Sequence, residues 1–503
     1  MSREPLPALD ESETGKWYAG ITRYQWLVLF IACLGWVFDI FEGQIFVASM
    51  NEAMPSLIEQ EAVSNGQTIS AKEVDQRKAL YNNIALAAFL VGGAIGGIVF
   101  GIVSDKIGRK RTMSLTILFY SLFTCLSAFS GRWWHLAGYR FLVAMGVGGE
   151  WAVASAMVYE VFPKRARAHV GGIFHASSVL GTYLAVAAGT FIIANDELNQ
   201  AIIEWAQQRG FTDPDLLASL KWRIGFALGA LPALLIIWIR ASLKEPEGWQ
   251  QAKDRAQEDQ TQKVGQFNEL FSSAYLRNTV VGFLLAAVGM ATFWGVHIYG
   301  KNVLRTAAET QYLTEKAGVE DLSALSADDR KTALTPYDSE IKRWEMLGML
   351  LVTTGGGIGL LAFGPISQRV GRRGAFILFH LGGLVSALAL FQTTFSEPSS
   401  LLYLALPVFG FLTLGMHAGY AIYFPELFPT RLRATGSGFC FNGGRIAAAP
   451  MLFATGFIQS NLGVTLFQAC SMLSLLYLLG VVVTAMAPET RHRAFEDASQ
   501  EAV

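Results

Sequence analysis

Two short motifs occur twice in this chain, in the same order and at nearly the same distance. GIVSDKIGRK at 101–110 returns as GPISQRVGRR at 364–373, an offset of 263; EVFPKRARA at 160–168 returns as ELFPTRLRA at 426–434, an offset of 266. Chance does not place two motifs in one order at matching offsets, so the chain reads as two homologous halves. The sequence around the motifs is apolar. Of 503 residues 52% are hydrophobic and 16% charged, against about 25% charged in soluble domains. The apolar residues gather in runs near 20 residues long, the length of a membrane-crossing helix, whereas barrel strands alternate over about ten. The runs predict twelve spans, near 23–50, 81–104, 112–130, 135–162, 169–194, 222–240, 278–300, 344–366, 374–393, 400–424, 434–458 and 464–487. The expected fold is an all-α membrane protein with twelve transmembrane helices in two pseudo-symmetric six-helix bundles.

Charge orients the spans. Asp105–Arg111 carries four basic residues and one acid, and residues 163–168 and 367–374 carry three basic residues each. The positive-inside rule puts these loops in the cytoplasm. Residues 195–221, which must then lie outside, hold five acids against Arg209 and Lys221. An even span count leaves both termini cytoplasmic in a multi-pass cell-membrane protein. The organisation expected is a tail over 1–22, a bundle over 23–240, a cytoplasmic linker over 241–277, a second bundle over 278–487 and a tail over 488–503. Short interfacial helices are expected in the linker around PEGWQQAKDRAQ and FNELFSSAYL. Residues 301–343 read as a long external loop of unassigned role.

Several function classes drop out. A formal net charge of −1 with no basic tract argues against a nucleic-acid partner. Cys33, Cys125, Cys440 and Cys470 all lie in apolar runs without metal spacing and read as small core residues. Glycine clusters at 92–97 and 355–359 lack the G-x4-G-K-[ST] pattern and a preceding strand. Gly93, Gly97 and Gly101 instead recur at the spacing of helix contacts. No nucleophile–base or metal set gathers at one membrane face, so an enzyme is not expected.

The motifs carry a family resemblance across nearly the whole chain. G-x3-D-K-x-G-R-K at 101–110 resembles the signature between helices two and three of the major facilitator superfamily. Arg140 followed by GVGGE at 146–150, and E-x-F-P-x-R-x-R at 160–167 and 426–433, are similar to patterns in its sugar and metabolite symporter branches. The resemblance implies alternating access with Asp105 as a latch between the halves in the outward-facing state. Gly101, Asp105, Arg109, Gly364, Arg369 and Arg372 are the expected cytoplasmic gate. In the second copy Gln368 stands where the acid belongs, which leaves Asp105 as the charged latch. Glu160 and Glu426, beside arginines at span ends, read as salt-bridge partners.

Charges inside the spans carry the functional argument, because a carboxylate at the centre of a membrane helix costs about 3 kcal/mol even on lenient insertion scales. GWVFDIFEGQIF at 35–46 holds two, Asp39 and Glu42, on one helix face. Like charges this close do not both ionise cheaply, and a carboxyl poised near neutrality is what proton coupling needs. The pair resembles the acid-x-x-acid feature of aromatic-acid/proton symporters, with Glu42 in place of an aspartate and Ile40 in place of a glycine. Its plainer reading is neutralisation by Arg140 or Arg445. Arg140 and Glu150 lie ten residues apart in span 4, about 15 Å along the helix, as a charge relay or a structural ion pair. With Asp39 and Glu42 they form the proton-coupling set.

Gln44, Trp294, His297, His417, Asn442 and Arg445 are the candidate substrate contacts, Arg445 as the partner of a substrate carboxylate. Phe293 and Tyr299 extend an aromatic wall, while His175 and His380 read as structural. These features together point to a secondary transporter, functional as a monomer. It would carry a small polar metabolite, an organic or aromatic carboxylate, with protons and without a cofactor. A sugar:proton symporter is the second reading, suggested by KEPEG at 244–248 and PET at 488–490. The seventh span, VGFLLAAVGMATFWGVHIYG, lacks the glutamine pair that reading needs.

Overall fold

The computed structural model describes residues 16–188, 196–229, 238–239, 241–259, 263–319, 325 and 327–491. The described secondary structure is helical throughout. Among the described residues, eight stretches are long and apolar enough to cross a membrane by themselves. They become twelve spans once the merged helix Asp338–Gln392 is divided at Gly371 and three more polar helices are added. Those three are Arg109–Ser127 (span 3), Pro214–Leu228 (span 6; residues 230–237 and 240 of the expected run lie outside the described residues) and Arg433–Ala448 with Met451–Leu462 (span 11).

The remaining spans are Arg23–Ser64, Ala71–Ile107, Trp133–Val161, Lys164–Ala176 with Ser178–Ala188 (spans 1, 2, 4 and 5), Leu276–Gly295 continuing into Gly300–Gln311 (span 7), the two parts of Asp338–Gln392 (spans 8 and 9), Ser400–Leu414 with His417–Leu427 (span 10) and Leu466–Ser474 with Leu476–Met486 (span 12). The tails 1–15 and 492–503 and the end of span 5 (189–195) lie outside the described residues. Large apolar side chains such as Leu404 (66% exposed) and Phe457 (67%) face outward, as a bilayer permits and water does not.

Several helices outrun the apolar runs that predict them. Span 1 continues from residue 50 to Ser64, and span 2 starts at Ala71 rather than 81. Met50, Ala53, Met54, Leu57 and Ile58 recur at helical spacing and are buried against Val74, Trp222 and Phe226. Interleaved acids such as Glu52 and Glu59 lower the hydropathy without breaking that amphipathic stripe. The segment 301–343 is helical at Gly300–Gln311, with a π turn at Tyr312–Lys316, and again at Ala327–Leu334. Lys301 and Arg305 bind Glu345 at 2.7 and 2.8 Å across it. The linker holds a helix at Glu247–Glu258 and a 3-10 turn at Phe267–Phe271.

The duplication is visible in packing. Gly92 and Gly96 of span 2 sit against the backbone carbonyls of Phe141 and Met145 in span 4, leaving no room for a Cβ. At the repeat offset, Gly355 and Gly359 of span 8 sit likewise on Pro407 and Phe411 of span 10. The turns after spans 2 and 8 match too, with Gly108 at φ +110° and Gly371 at φ +83°, a region that favours glycine. Span 2 packs on span 11, and span 5 on spans 8 and 10, which joins the halves. The end bearing 101–111, 160–168, 364–374 and 426–434 is called the basic end below, and the opposite end the far end.

Candidate functional site

Midway along the spans, spans 1 and 4 bring three carboxylates together with one guanidinium. Asp39, Glu42, Arg140 and Glu150 are each 1% exposed. Arg140 donates to Glu42 at 2.5 Å, and the Thr124 hydroxyl adds a bond at 3.2 Å. The guanidinium is sandwiched between the rings of Phe46 at 3.7 Å and Phe89 at 4.3 Å. Within that pair Glu42 Oε2 and Arg140 Nε make no further hydrogen bond. Arg140 therefore reaches across to span 1, and Glu150 binds elsewhere, accepting from the Thr116 hydroxyl at 2.6 Å.

Asp39 is different. Neither of its carboxylate oxygens has a hydrogen-bond partner, and the Tyr120 hydroxyl beside it is also unpartnered. Its electrostatic neighbours are Glu150, Tyr120, Glu42 and Arg445. Glu150 keeps its Oε1 unpartnered as well, packed so near Gly35 that a Cβ there would come within 2.7 Å of it. Buried carboxylates without donors are rare because desolvation is uncompensated.

Arg445 enters from span 11 of the other half. Its Nη1 has no partner and lies in the notch left by Gly93. Asn442, one helical turn before it, fills the notch at Gly97 and donates to the Gly148 carbonyl at 3.0 Å, leaving its Oδ1 free. Two opposite charges, Asp39 and Arg445, thus face the same interior from opposite halves while neither is hydrogen-bonded to the other.

An aromatic belt adjoins them. Trp151 stacks on Phe441 at 3.7 Å and donates to His175 Nδ1 at 3.4 Å. Trp36 lies 5.6 Å from the His175 ring, its own N–H unpartnered. Through Tyr420 the belt continues to His417, Phe293 and His297. His297 bonds Thr413 at 2.7 Å. The Nδ1 of His417 meets the Leu414 carbonyl at 3.1 Å, and its Nε2 is free. Trp294 is half-buried at the belt's edge against Phe293. Gln44 is exposed, 140° around span 1 from Asp39 at 100° per residue, so it stands apart from the cluster.

The basic end is closed. Asp105 accepts from the backbone N–H groups of Ala434 and Thr435 (3.3 and 2.8 Å) and from the Thr435 hydroxyl (2.6 Å). A carboxylate from span 2 thereby caps the N-terminus of span 11, where the helix dipole favours an anion. Arg109 binds Asp105 at 2.8 Å and Glu160 in bidentate fashion at 2.8 and 3.1 Å. Arg372 repeats the arrangement with Glu426 at 2.8 and 3.0 Å. Gly101 rests on the Ala434 carbonyl and Gly364 on that of Ala168. Arg369 is exposed, and its carbonyl accepts from Arg491 at 2.9 Å.

Two further carboxylates cap the span that follows each motif: Glu245 receives the N–H groups of Arg109, Lys110 and Arg111, and Glu489 those of Arg372 and Arg373. Burial pushes the Glu489 carboxyl up, but these backbone donors, that of Arg491 and the Arg372 charge outweigh it and hold it below its usual range.

Sequence reasoning missed Tyr120, Thr116 and Thr124, which look like ordinary polar residues of span 3, and assigned His175 to structure alone. Glu245 and Glu489 carried a signal, since each lies in a short Lys/Pro-Glu motif just after the last span of its half.

The sequence model of the Major Facilitator Superfamily matches residues 43–451. The sialic acid transporter NanX of Escherichia coli is 27% identical over 467 residues, 92% of this chain and 95% of that protein. A cis,cis-muconate transport protein of Acinetobacter baylyi is 26% identical over 374 residues, 74% of this chain and 77% of that protein. The niacin transporter NiaP of the same organism is 22% identical over 486 residues, 95% and 97% of the two chains. Among solved structures, the proton:xylose symporter XylE superposes with a TM-score of 0.66 at 15% identity, covering 95% of this chain and 99% of that one.

Proposed function

Because the chain belongs to the major facilitator superfamily, we propose that it moves an organic carboxylate together with protons, by alternating access around the Asp39–Arg445 cluster. The family and the relatives make it an integral membrane transporter of small molecules rather than an enzyme. Muconate, niacin and sialic acid, the substrates in the relatives' names, all bear a carboxylate, and this supports the anionic reading.

One observation carries the proposal: two unpartnered buried groups of opposite charge, from opposite halves, share one interior. Arg445 offers a free N–H donor for a substrate carboxylate, with Asn442 one helical turn away and the Phe441 ring 5.8 Å from its guanidinium; from Phe441 the belt runs to Trp151 and His175 and, through Tyr420, to His417. Asp39 offers a site for the proton. Fully ionised, the three mid-span carboxylates exceed the two guanidiniums by one negative charge among the described residues. An anionic substrate adds a second, so entry is favoured when protons come with it. Glu42 and Arg140 serve as a fixed pair, while Asp39 and Glu150 carry the proton. Asp105 latches the basic end, the cytoplasmic one on this reading.

The test is Asp39→Asn in proteoliposomes. Uptake driven by an imposed pH gradient is lost, while counterflow exchange of unlabelled for labelled substrate survives, since exchange needs no net proton movement. Wild-type gradient-driven uptake in that variant overturns the assignment. Sugars belong in the same panel, and uptake of a sugar with no carboxylate transported overturns the substrate class.

A further inference from the structure

Away from the central cluster, a cavity of about 1060 Å³ opens at the far end of the second half. It lies between the extension of span 7, the helix Ala327–Leu334, the turn joining spans 9 and 10, and the first three turns of span 12. None of the mid-span charges lines it.

Polar and apolar side chains both line it: Thr306, Thr310, Arg330, Thr465, Gln468 and Ser471 supply polar groups, and Leu388, Phe391, Phe467 and Leu475 apolar ones, with Leu475 at the lower end. Phe391 and Phe467 are stacked at 5.7 Å. From Thr465 to Leu475 is ten residues of helix, about 15 Å, or half the thickness of a bilayer's hydrocarbon core. Met472 and Leu475 are 45% and 55% exposed, so the lower wall opens sideways toward lipid tails. At the mouth, Arg330 meets Glu309 only at 3.6 Å, beyond hydrogen-bond length. Arg305 takes Oε1 of Glu309 at 2.8 Å, and Oε2 faces Arg330. That long ion pair leaves hydrogen-bond donors of Arg330 for an anion, and a guanidinium fork suits a phosphate.

We propose that this cavity seats one phospholipid of the far leaflet, its phosphate at Arg330 and one acyl chain along Phe391, Phe467 and Leu475. A free anion meets the same guanidinium but leaves Phe391, Phe467, Met472 and Leu475 uncovered. A lipid satisfies both ends. Seated there, it packs the span 7 extension against span 12.

The experiment is native mass spectrometry of the full-length chain, stripped of lipid by detergent exchange and titrated with a phosphatidylglycerol. Wild type binds one lipid ahead of the nonspecific series. Arg330→Gln weakens that first adduct about tenfold, as loss of a charged hydrogen bond predicts. Thr306→Trp or Met472→Trp, which fill the cavity from opposite walls, abolishes it; whichever variant remains monodisperse is read. Inorganic phosphate at millimolar concentration leaves the adduct in place. Identical adduct series in wild type and all folded variants overturn the proposal, and so does displacement of the lipid by phosphate alone.

Discussion

Asp39 and Glu42 stand three residues apart on one helix face, yet they end in different environments. Glu42 has a guanidinium, a threonine hydroxyl and two flanking rings around its ion pair; Asp39 has only the Tyr120 hydroxyl beside it, outside hydrogen-bond geometry. Their spacing made the pair legible in the sequence, but not this division. Which carboxylate Arg140 reaches depends on how span 4 packs on span 1, a contact between residues 98 positions apart that no local pattern records. The same holds for Tyr120, whose role comes only from facing Asp39. A buried pair missing one partner leaves an uncompensated charge, at a cost of about 3–5 kcal/mol. Arg140→Met and Glu42→Gln are each expected to lower the thermal unfolding temperature of the purified protein markedly, while the double variant recovers much of the loss. Additive losses in the double variant contradict the fixed-pair role.

Elements were legible where composition was extreme and not where it was mixed. Apolar runs predict the spans, whereas the helical extensions of spans 1, 2 and 7 carry charges that hide them from a hydropathy reading. The gate motifs stood out by repetition, but the carboxylates that cap spans 3 and 9 contact residues more than a hundred positions away. Asp105→Asn removes the negative charge from the N-terminus of span 11, and a cysteine placed at buried Ser437 should then react several-fold faster with a water-soluble maleimide. Unchanged reactivity means the backbone contact at Gly101 closes this end alone. For Glu489, a carboxyl held below its ordinary value contributes stability above its unfolded pKa, near 4.3, and loses it as pH falls through the folded value. The stability gap between wild type and Glu489→Gln should accordingly be full at neutral pH and shrink below about pH 4.3. A gap that widens on acidification contradicts the cap.

At the scale of the whole molecule, the duplication explains why the site is built from unlike halves. The halves repeat their basic-end motifs and their glycine contacts, yet the first supplies the acids of spans 1 and 4 and the second supplies Arg445 and Asn442. Alternating access requires one half to rock against the other, and a cluster divided between them changes its charge spacing as they move. Bilayer crossing and duplication were readable from the sequence because both are written in long-range composition. The substrate is not, because it is recognised by a few atoms whose placement depends on every span. The most direct measurement of the central claim is the external pH of lightly buffered proteoliposomes when a carboxylate such as niacin or cis,cis-muconate is added. Proton symport predicts alkalinisation that follows substrate uptake and is absent in Asp39→Asn; substrate uptake with no pH change contradicts it.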